Sequence, residues 1–230
     1  TFFERLASAS PPLVTMLTVQ HRMPEGLMRF PSQSMYGGRL EASAEARTHT
    51  LAQLGVGDDD TRPGPLVFLD SAGRGWEEER SAEDPSTKNP GQAERIASEL
   101  RRLVRRGAQV SQMAVITPYE AQARLLRGLL APERGAGLEV GTVDGFQGRE
   151  KEVVLVDLVR SNADAELGFL RDVRRMNVAL TRAKRFLLVL GDSATLAGHP
   201  YYDAFLREAE ASGAWISTWA DDPDAVLPTA

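Results

Sequence analysis

The stretch EVVLVDLV, residues 152 to 159, is the clearest indication of the fold because six of its eight residues are valine or leucine. Dense runs of valine, leucine and isoleucine are typical of strands buried on both faces of a parallel sheet. Four other runs share this character. The five predicted strands are PLVFLD (65–70), MAVIT (113–117), LEVGTV (138–143), EVVLVDLV (152–159) and RFLLVLGD (185–192).

Amphipathic stretches lie between or beside these runs. Helices are predicted over 91–106, 119–130, 171–184 and 200–211. Because strands and helices alternate, we predict an α/β fold in which a parallel sheet is flanked by helices on both faces. Ligands of such sheets lie beyond the carboxyl ends of the strands, which points to the loops after Thr117, Val143 and Val159.

The rest of the chain predicts one domain with surface additions. The segments 41–64 and 71–90 are rich in glycine, proline and charge without a sustained period, so we predict two surface excursions. We expect residues 1–220 to form a single domain and 221–230 to form a loosely ordered tail. The chain begins with Thr1 and has no signal-peptide pattern, so we expect part of a longer cytoplasmic protein.

Composition excludes several classes of protein. The chain is 42% hydrophobic and 26% charged, as folded proteins are. No run of 18 apolar residues predicts a membrane span, and the absence of cysteine excludes disulfides and thiolate metal sites. The net charge of -5 argues against indiscriminate binding to nucleic acid. A local anion site is still possible, because residues 171–185 carry six cations and one anion.

The stretch RRMNVALTRAKR, residues 174 to 185, concentrates these cations. On a helical wheel one side is apolar, and the opposite side carries Arg171, Arg175 and Arg182. The arginines either solvate an exposed helix face or bind an anion.

Two other stretches also contain polar residues that are candidates for binding a ligand. In LTVQHRMPEGLMRFPSQSMYGGRL, residues 17 to 40, Arg22 lies at the junction between a strand-like lead and a short helix that begins near Pro24. A charged turn beside core residues is the alternative.

In GTVDGFQGREKEVVLVDL, residues 141 to 158, Gly145 and Gly148 permit close approach of the backbone to a ligand. Such a loop is often only a turn. Its polar side chains include Thr142, Asp144, Gln147 and Glu150.

Together these stretches resemble a known family. QHRM…FPSQSMYGGRL, TPYEAQ, GTVDGFQGREKEVVLVDLVRSN and GFLRDVRRMNVALTRAK occur in the order of motifs IV, IVa, V and VI of superfamily 1 helicases. They are most similar to the 5′-to-3′ branch that contains the RNA-surveillance and replication-associated helicases. The match runs from Leu17 to Asp192 and resembles the second RecA-like domain of the motor core.

The resemblance implies roles at an ATP site between two RecA-like domains. Arg22 and Arg182 would contact the γ-phosphate of ATP, and Glu150 would accept a hydrogen bond from the ribose hydroxyl. Gly148 would lie close to the nucleotide, while Gln147 and Arg175 would orient these groups. The upstream RecA-like domain of the same protein would hold ATP and Mg²⁺, so no metal ligand is predicted in this chain.

The resemblance also implies a face for single-stranded DNA or RNA on the opposite rim of the sheet. The residues that would meet the sugar-phosphate backbone there are Thr117, Pro118, Tyr119, Thr142 and Asp144. For Tyr119, packing in the core is an equal alternative.

Two departures from the family matter. His21 stands where many relatives have tyrosine, and the chain contains no GxxxxGK[ST] phosphate-binding loop. We therefore expect the chain by itself not to hydrolyse ATP. The main hypothesis is the second motor domain of an ATP-dependent helicase or translocase. The alternative is a catalytically inactive RecA-like domain that docks nucleic acid or protein.

Overall fold

The computed structural model describes residues 5, 6, 9, 14–62, 64–80 and 84–220, and the predicted tail at 221–230 lies outside them. Its strands are β1 (Val19–Gln20), β2 (Glu41–Ala42), β3 (Leu66–Asp70), β4 (Met113–Thr117), β5 (Glu139–Thr142), β6 (Lys151–Asp157), β7 (Ala183–Gly191) and β8 (Trp215–Ser217). Its helices are α1 (Glu25–Tyr36), α2 (Ala44–Arg47), α3 (Pro90–Arg105), α4 (Glu120–Leu129), α5 (Ala131–Gly135), α6 (Val173–Leu180), α7 (Ser193–Leu196) and α8 (Pro200–Ala211).

Six strands form one sheet in the order β5-β4-β6-β7-β3-β8, and every neighbouring pair is parallel. The predicted parallel α/β fold is therefore confirmed, with β3 to β7 at the five apolar runs. The sixth strand, β8, was missed because it has three half-buried residues at the sheet edge and thus no apolar run.

Helices cover both faces of this sheet, as predicted. On one face α3 and α4 pack on alternate strand residues such as Val67 and Leu155. On the other face α1, α6 and α8 pack on the intervening residues, such as Phe68 and Val154. The four inner strands, β3, β4, β6 and β7, are buried from both sides, which explains their continuous apolar sequence.

The predicted helix over 171–184 is too long at both ends. A short 3₁₀ turn, Gly168–Arg171, precedes α6, and β7 already begins at Ala183. Arg182 therefore lies in a two-residue junction between α6 and β7 instead of on the helix. The pattern misled because apolar residues continue from the helix into the strand without a glycine or proline between them.

The two predicted surface excursions are anchored to the domain at particular residues, while most of 41–64 is exposed. In 41–64, β2 pairs in parallel with β1, and the guanidinium of Arg62 is buried 3.0 Å from the carboxylate of Glu99. In 71–90, Asn89 is fully buried and its side chain caps α3. Hydrogen bonds allow these polar residues to be buried, and hydropathy does not reveal such bonds.

Within the ranges described above, no helix combines the length and the hydrophobicity needed to cross a bilayer.

Candidate functional site

Two of the predicted arginines meet at the amino ends of neighbouring strands. Glu150 immediately precedes β6 and Arg182 immediately precedes β7, and these strands are adjacent in the sheet. Arg22 reaches the same place from the loop between β1 and α1. Its Nε donates to the Glu150 carboxylate at 2.6 Å, and its Nη1 donates to the carbonyl of Thr181 at 2.8 Å. We call Arg22, Glu150, Arg182 and Lys184 the amino-edge cluster.

Arg182 is tied to the backbone around it. Its Nε donates to the carbonyl of Val178 at 2.8 Å, its Nη1 to the carbonyl of Arg149 at 3.0 Å, and its Nη2 to the hydroxyl of Thr181 at 3.0 Å. The bond to Val178 satisfies a carbonyl in the last turn of α6. A guanidinium has five N–H groups, so two remain for a ligand. Thr181 is bound by both Arg182 and Arg22, which fixes the two guanidiniums side by side.

The amino-edge cluster carries an excess of positive charge. Three cations surround one carboxylate, and Lys184 Nζ lies 3.4 Å from the Glu150 oxygen. Burial and then the charge of Arg22 lower the pKa of Arg182, while the hydrogen bond from Arg22 lowers the pKa of Glu150. Like charges held this closely favour binding of an anion between them. The residues therefore fit a phosphate group.

The loop that presents Arg22 is held by short-range hydrogen bonds. The side-chain oxygen of Gln20 accepts from the backbone N–H of Arg22 and of Met23, both at 2.8 Å. Nδ1 of His49 lies 3.0 Å from the carbonyl oxygen of Arg22. His21, the residue that departs from the family pattern, has an exposed side chain. The residue that organises this loop is therefore Gln20, to which the sequence prediction assigned no role.

The loop of residues 143 to 150, which we call the glycine loop, runs from the carboxyl edge of the sheet to its amino edge. It leaves the carboxyl end of β5 and returns to the amino end of β6, with Phe146 buried beneath it. Gly148 has φ of 80°, and a Cβ there would meet nothing within 4 Å. Glycine is thus favoured there by the backbone conformation. Gln147 is exposed beside it, two residues before Arg149, whose backbone carbonyl accepts a hydrogen bond from Arg182.

Arg175 does not join the amino-edge cluster. Its Nε lies 3.6 Å from carboxylate oxygens of Asp144 and of Asp172, and its guanidinium lies 4.1 Å from the ring centre of Phe169. The reason is the length of α6: Arg175 is in its first turn and Arg182 follows its last, about 10 Å further along the axis. Arg175 therefore accompanies Asp144, which is predicted to meet nucleic acid, and not the residues predicted to contact ATP.

The residues predicted to meet nucleic acid lie at the carboxyl ends of β4 and β5, but they differ in access. Thr117 and Pro118 are buried, and the Thr117 hydroxyl has no hydrogen-bond partner in the described part of the chain. A contact through this hydroxyl would require the strand end to open. The Tyr119 hydroxyl accepts from Arg160 at 3.3 Å and from the backbone N–H of Phe169 at 3.2 Å. Tyr119 and Thr142 are half-buried, and Asp144 is exposed.

The residues that hold the carboxyl edge together were missed by the sequence prediction. Arg160 is buried, and its Nε donates to Glu78 at 2.7 Å. Burial by itself would lower the pKa of Arg160, but the hydrogen bonds that it donates to Tyr119 and Glu78 outweigh this effect and raise the pKa. Val159 before it has φ of 70°, a strained conformation for a β-branched residue. The sequence signal for this role was a charged arginine shortly after a buried strand, in VDLVRSN, residues 156 to 162. That stretch belongs to the third family motif, but the resemblance assigned no role to Arg160.

A buried polar network supports this strained turn. The Val159 N–H donates to the side chain of Gln92 at 2.9 Å, and its carbonyl accepts from Asn89 at 3.1 Å. Asp157 is fully buried, and burial raises its pKa to about 7 although Gln122 and the Val159 N–H donate to it. The network therefore contains a buried ionisable carboxyl group beneath the carboxyl edge.

Metal ligands are not grouped in the part of the chain that the structure describes, since no three histidine, aspartate or glutamate side chains come together there.

Comparison with known proteins identifies the family. The model of the AAA domain family matches residues 1–194. The chain is 41% identical over 203 residues to the DNA-binding protein SMUBP-2 of Rattus norvegicus, covering 87% of this chain and 20% of that protein. It is 39% identical over 203 residues to the DNA polymerase alpha-associated DNA helicase A of Schizosaccharomyces pombe, covering 85% of this chain and 31% of that protein.

A relative of lower identity is also named as a helicase. The chain is 34% identical over 228 residues to the ATP-dependent helicase NAM7 of Saccharomyces cerevisiae, covering 96% of this chain and 23% of that protein. The chain spans about a fifth of the length of the SMUBP-2 proteins. The resemblance to superfamily 1 helicases is confirmed, and the chain belongs to the AAA domain family.

Proposed function

We propose that this chain is the second motor domain of an ATP-dependent helicase or translocase, and that Arg22 and Arg182 contact the γ-phosphate of ATP. A RecA-like domain upstream in the same protein would hold the nucleotide and its Mg²⁺. The observation that carries the proposal is the convergence of both guanidiniums on Thr181, beside Glu150.

The contacts within the amino-edge cluster suit an exchange with ATP. The Arg22–Glu150 pair is partly exposed, at 29% and 42% of the two side chains. Exposed ion pairs contribute only about 0 to 1 kcal/mol, so a phosphate can replace the carboxylate at little cost. Glu150, once released, would accept from the ribose hydroxyl. Arg182 would keep its bonds to the end of α6 and use its two remaining N–H groups.

Arginine suits this role for a chemical reason. Hydrolysis of ATP develops charge on the γ-phosphate oxygens, and an arginine delivered there accelerates the reaction by about 10³ to 10⁵. The planar guanidinium donates two parallel hydrogen bonds to such a group, which an ammonium cannot do. Arg22 and Arg182 would thus stabilise the transition state while the upstream domain positions the substrate.

The opposite edge would hold single-stranded DNA or RNA. Thr142 is half-buried and Asp144 is exposed at this edge, and a hydroxyl can hold phosphates without reading sequence. The relatives named DNA-binding protein and DNA helicase support a nucleic-acid ligand for this domain.

The test is ATP hydrolysis by the full-length protein with and without single-stranded nucleic acid. We expect the wild type to be stimulated by nucleic acid, and Arg182→Ala to lose about 10³-fold in turnover or more. Arg182→Lys keeps a cation at the junction and should remain strongly impaired. Arg207→Ala is the matched control, because Arg207 is 76% exposed on α8 and pairs only with Asp203 among the described residues.

Thermal unfolding separates catalysis from folding in this test, since Arg182 also binds carbonyls near the end of α6. A folded Arg182→Lys protein with wild-type turnover would remove the proposed role of Arg182. A folded wild type without any ATP turnover would favour the inactive docking domain instead.

A further inference from the structure

An open groove runs along the outer side of β5, the strand at one edge of the sheet. Its volume is about 380 Å³. β5 pairs with β4 on its inner side, and no other strand of the described sheet covers its outer side. We call this the β5 groove. Its polar lining consists of Arg127, Arg134, Glu139, Thr142 and Arg149.

The β5 groove is basic although the chain as a whole is acidic. Three arginines come from three different elements: Arg127 from α4, Arg134 from α5 and Arg149 from the glycine loop. Glu139 is the one carboxylate in the lining. Because separate parts of the chain converge there, the charge is a property of the folded surface and does not appear as a basic run in the sequence.

The three arginines are held to different degrees. Arg127 donates to the carbonyl of Val140 at 3.1 Å and to Glu120 at 2.6 Å, so it also covers part of the open strand edge. Arg149 pairs with Glu139, and its guanidinium lies 5.0 Å from the ring centre of Phe146. Arg134 makes no side-chain hydrogen bond or ion pair within the described ranges. Protection of the edge explains Arg127 but neither of the others.

The position of the groove indicates its ligand. Thr142, which we propose to meet the nucleic-acid backbone, ends β5 and lines the same groove. Gly141 and Gly145 beside it have no side chain to obstruct a phosphate. Several guanidiniums that converge on one groove match a ligand with repeated negative charges, and a groove continuous with the carboxyl edge favours one long polyanion over a separate small one.

We propose that the β5 groove binds the phosphate backbone of a single-stranded nucleic acid where that strand passes the carboxyl edge at Thr142. This inference rests on the proposed function, which requires nucleic acid at that edge. Binding would be independent of sequence, since the lining offers guanidiniums and a hydroxyl to phosphates and no arrangement of groups for base edges.

The test is fluorescence anisotropy of labelled oligothymidine of increasing length with the full-length protein at several salt concentrations. The variant is Arg134→Glu combined with Arg149→Ala, and Arg207→Glu on the distant helix α8 is the matched control. We expect the variant to bind about tenfold more weakly. The slope of log affinity against log salt concentration should fall in magnitude by about 0.7 for each arginine removed. The affinity should also stop rising at a shorter oligonucleotide length than for the wild type. Arg134→Glu alone should show the same direction, without removing any side-chain hydrogen bond or ion pair within the described ranges.

The outcomes distinguish the two proposals. If the wild type binds oligothymidine and the variants match it in affinity, slope and length dependence, the groove proposal is overturned while the proposed function stands. If the wild type binds no nucleic acid, the proposed function fails and the groove proposal fails with it. An oligoglutamate peptide is titrated in parallel. Binding of that peptide, lost in the variants while oligothymidine binding is kept, would assign the groove to an acidic protein segment and overturn the proposal.

Discussion

The two edges of the sheet each hold an arginine–glutamate pair at nearly the same distance. Arg22 and Glu150 are 2.6 Å apart at the amino edge, and Arg160 and Glu78 are 2.7 Å apart at the carboxyl edge. Their exposure differs greatly: 29% and 42% for the first pair, against 1% and 12% for the second. Distance alone therefore does not tell an exchangeable pair from a structural one.

The difference follows from solvation. Water can replace either partner of the amino-edge pair, so a ligand that offers a better anion can take Arg22 from Glu150. Neither partner at the carboxyl edge can be replaced in this way, and Glu78 also binds the backbone N–H of Ser161 and the side chain of Asn162. We therefore interpret Arg160 as a residue that positions the carboxyl edge, and Arg22 as a residue available to a ligand.

Removing the buried arginine should have the largest effect on stability. Arg160→Met leaves the Glu78 carboxylate without its buried partner, and we expect the free energy of unfolding to fall by about 3 to 5 kcal/mol. Urea unfolding followed by circular dichroism measures this change. A loss below about 1 kcal/mol would contradict the distinction between the two edges.

The buried carboxyl beneath that edge should give a pH dependence of intermediate size. Asp157 has a pKa of about 7 in the folded chain and an ordinary value of 3.8. The folded state therefore binds the proton more tightly, and this contribution is full below pH 4 and is lost as the pH rises through 7. Between pH 5.5 and 8 we expect the free energy of unfolding to fall by about 2 kcal/mol from this group.

Asp157→Asn is the matched variant for this pH effect. It cannot ionise, so its urea midpoints at pH 5.5, 6.5 and 8 should lack the slope of the wild type that comes from Asp157. All other ionisable groups are common to the two proteins, so their contributions cancel in the comparison. Equal slopes in both proteins would show that Asp157 keeps an ordinary pKa.

The exposed arginine should have the smallest effect on stability. Arg22→Met removes a partly exposed pair, and we expect the free energy of unfolding to fall by about 1 kcal/mol or less. The same variant should lose ATP turnover in the full-length protein, because its guanidinium is proposed to serve the ligand. A large loss of stability in urea unfolding would make Arg22 a structural residue like Arg160.

Much of this architecture could be predicted from the sequence, since buried parallel strands leave continuous apolar runs. Strands β3 to β7 and both helical layers were found in this way, whereas the short edge strand β8 left no run. The edge at which the arginines lie could not be predicted. The rule for ligands of parallel sheets points to carboxyl ends, but Glu150 and Arg182 precede their strands and so lie at the amino ends.

The remaining site residues were hidden for a different reason. Glu78 and Asn89 come from a segment whose polar composition predicts a loop, and their role becomes visible only when hydrogen bonds bring them against Arg160 and Val159. The arginines of the β5 groove are separated along the chain and converge only in the folded sheet. Periodicity records burial of apolar side chains, and it carries no information on such polar contacts.

The most direct test of the central claim is a double-mutant cycle on ATP turnover in the full-length protein, with Arg22→Ala, Arg182→Ala and the combined variant. Two guanidiniums that serve one phosphate act as a unit, so we predict that the combined variant is less than about tenfold slower than the slower single variant. Thermal unfolding of each protein verifies that it is folded. A combined loss equal to the product of the two single losses would mean that Arg22 and Arg182 act at independent places, and would contradict the account.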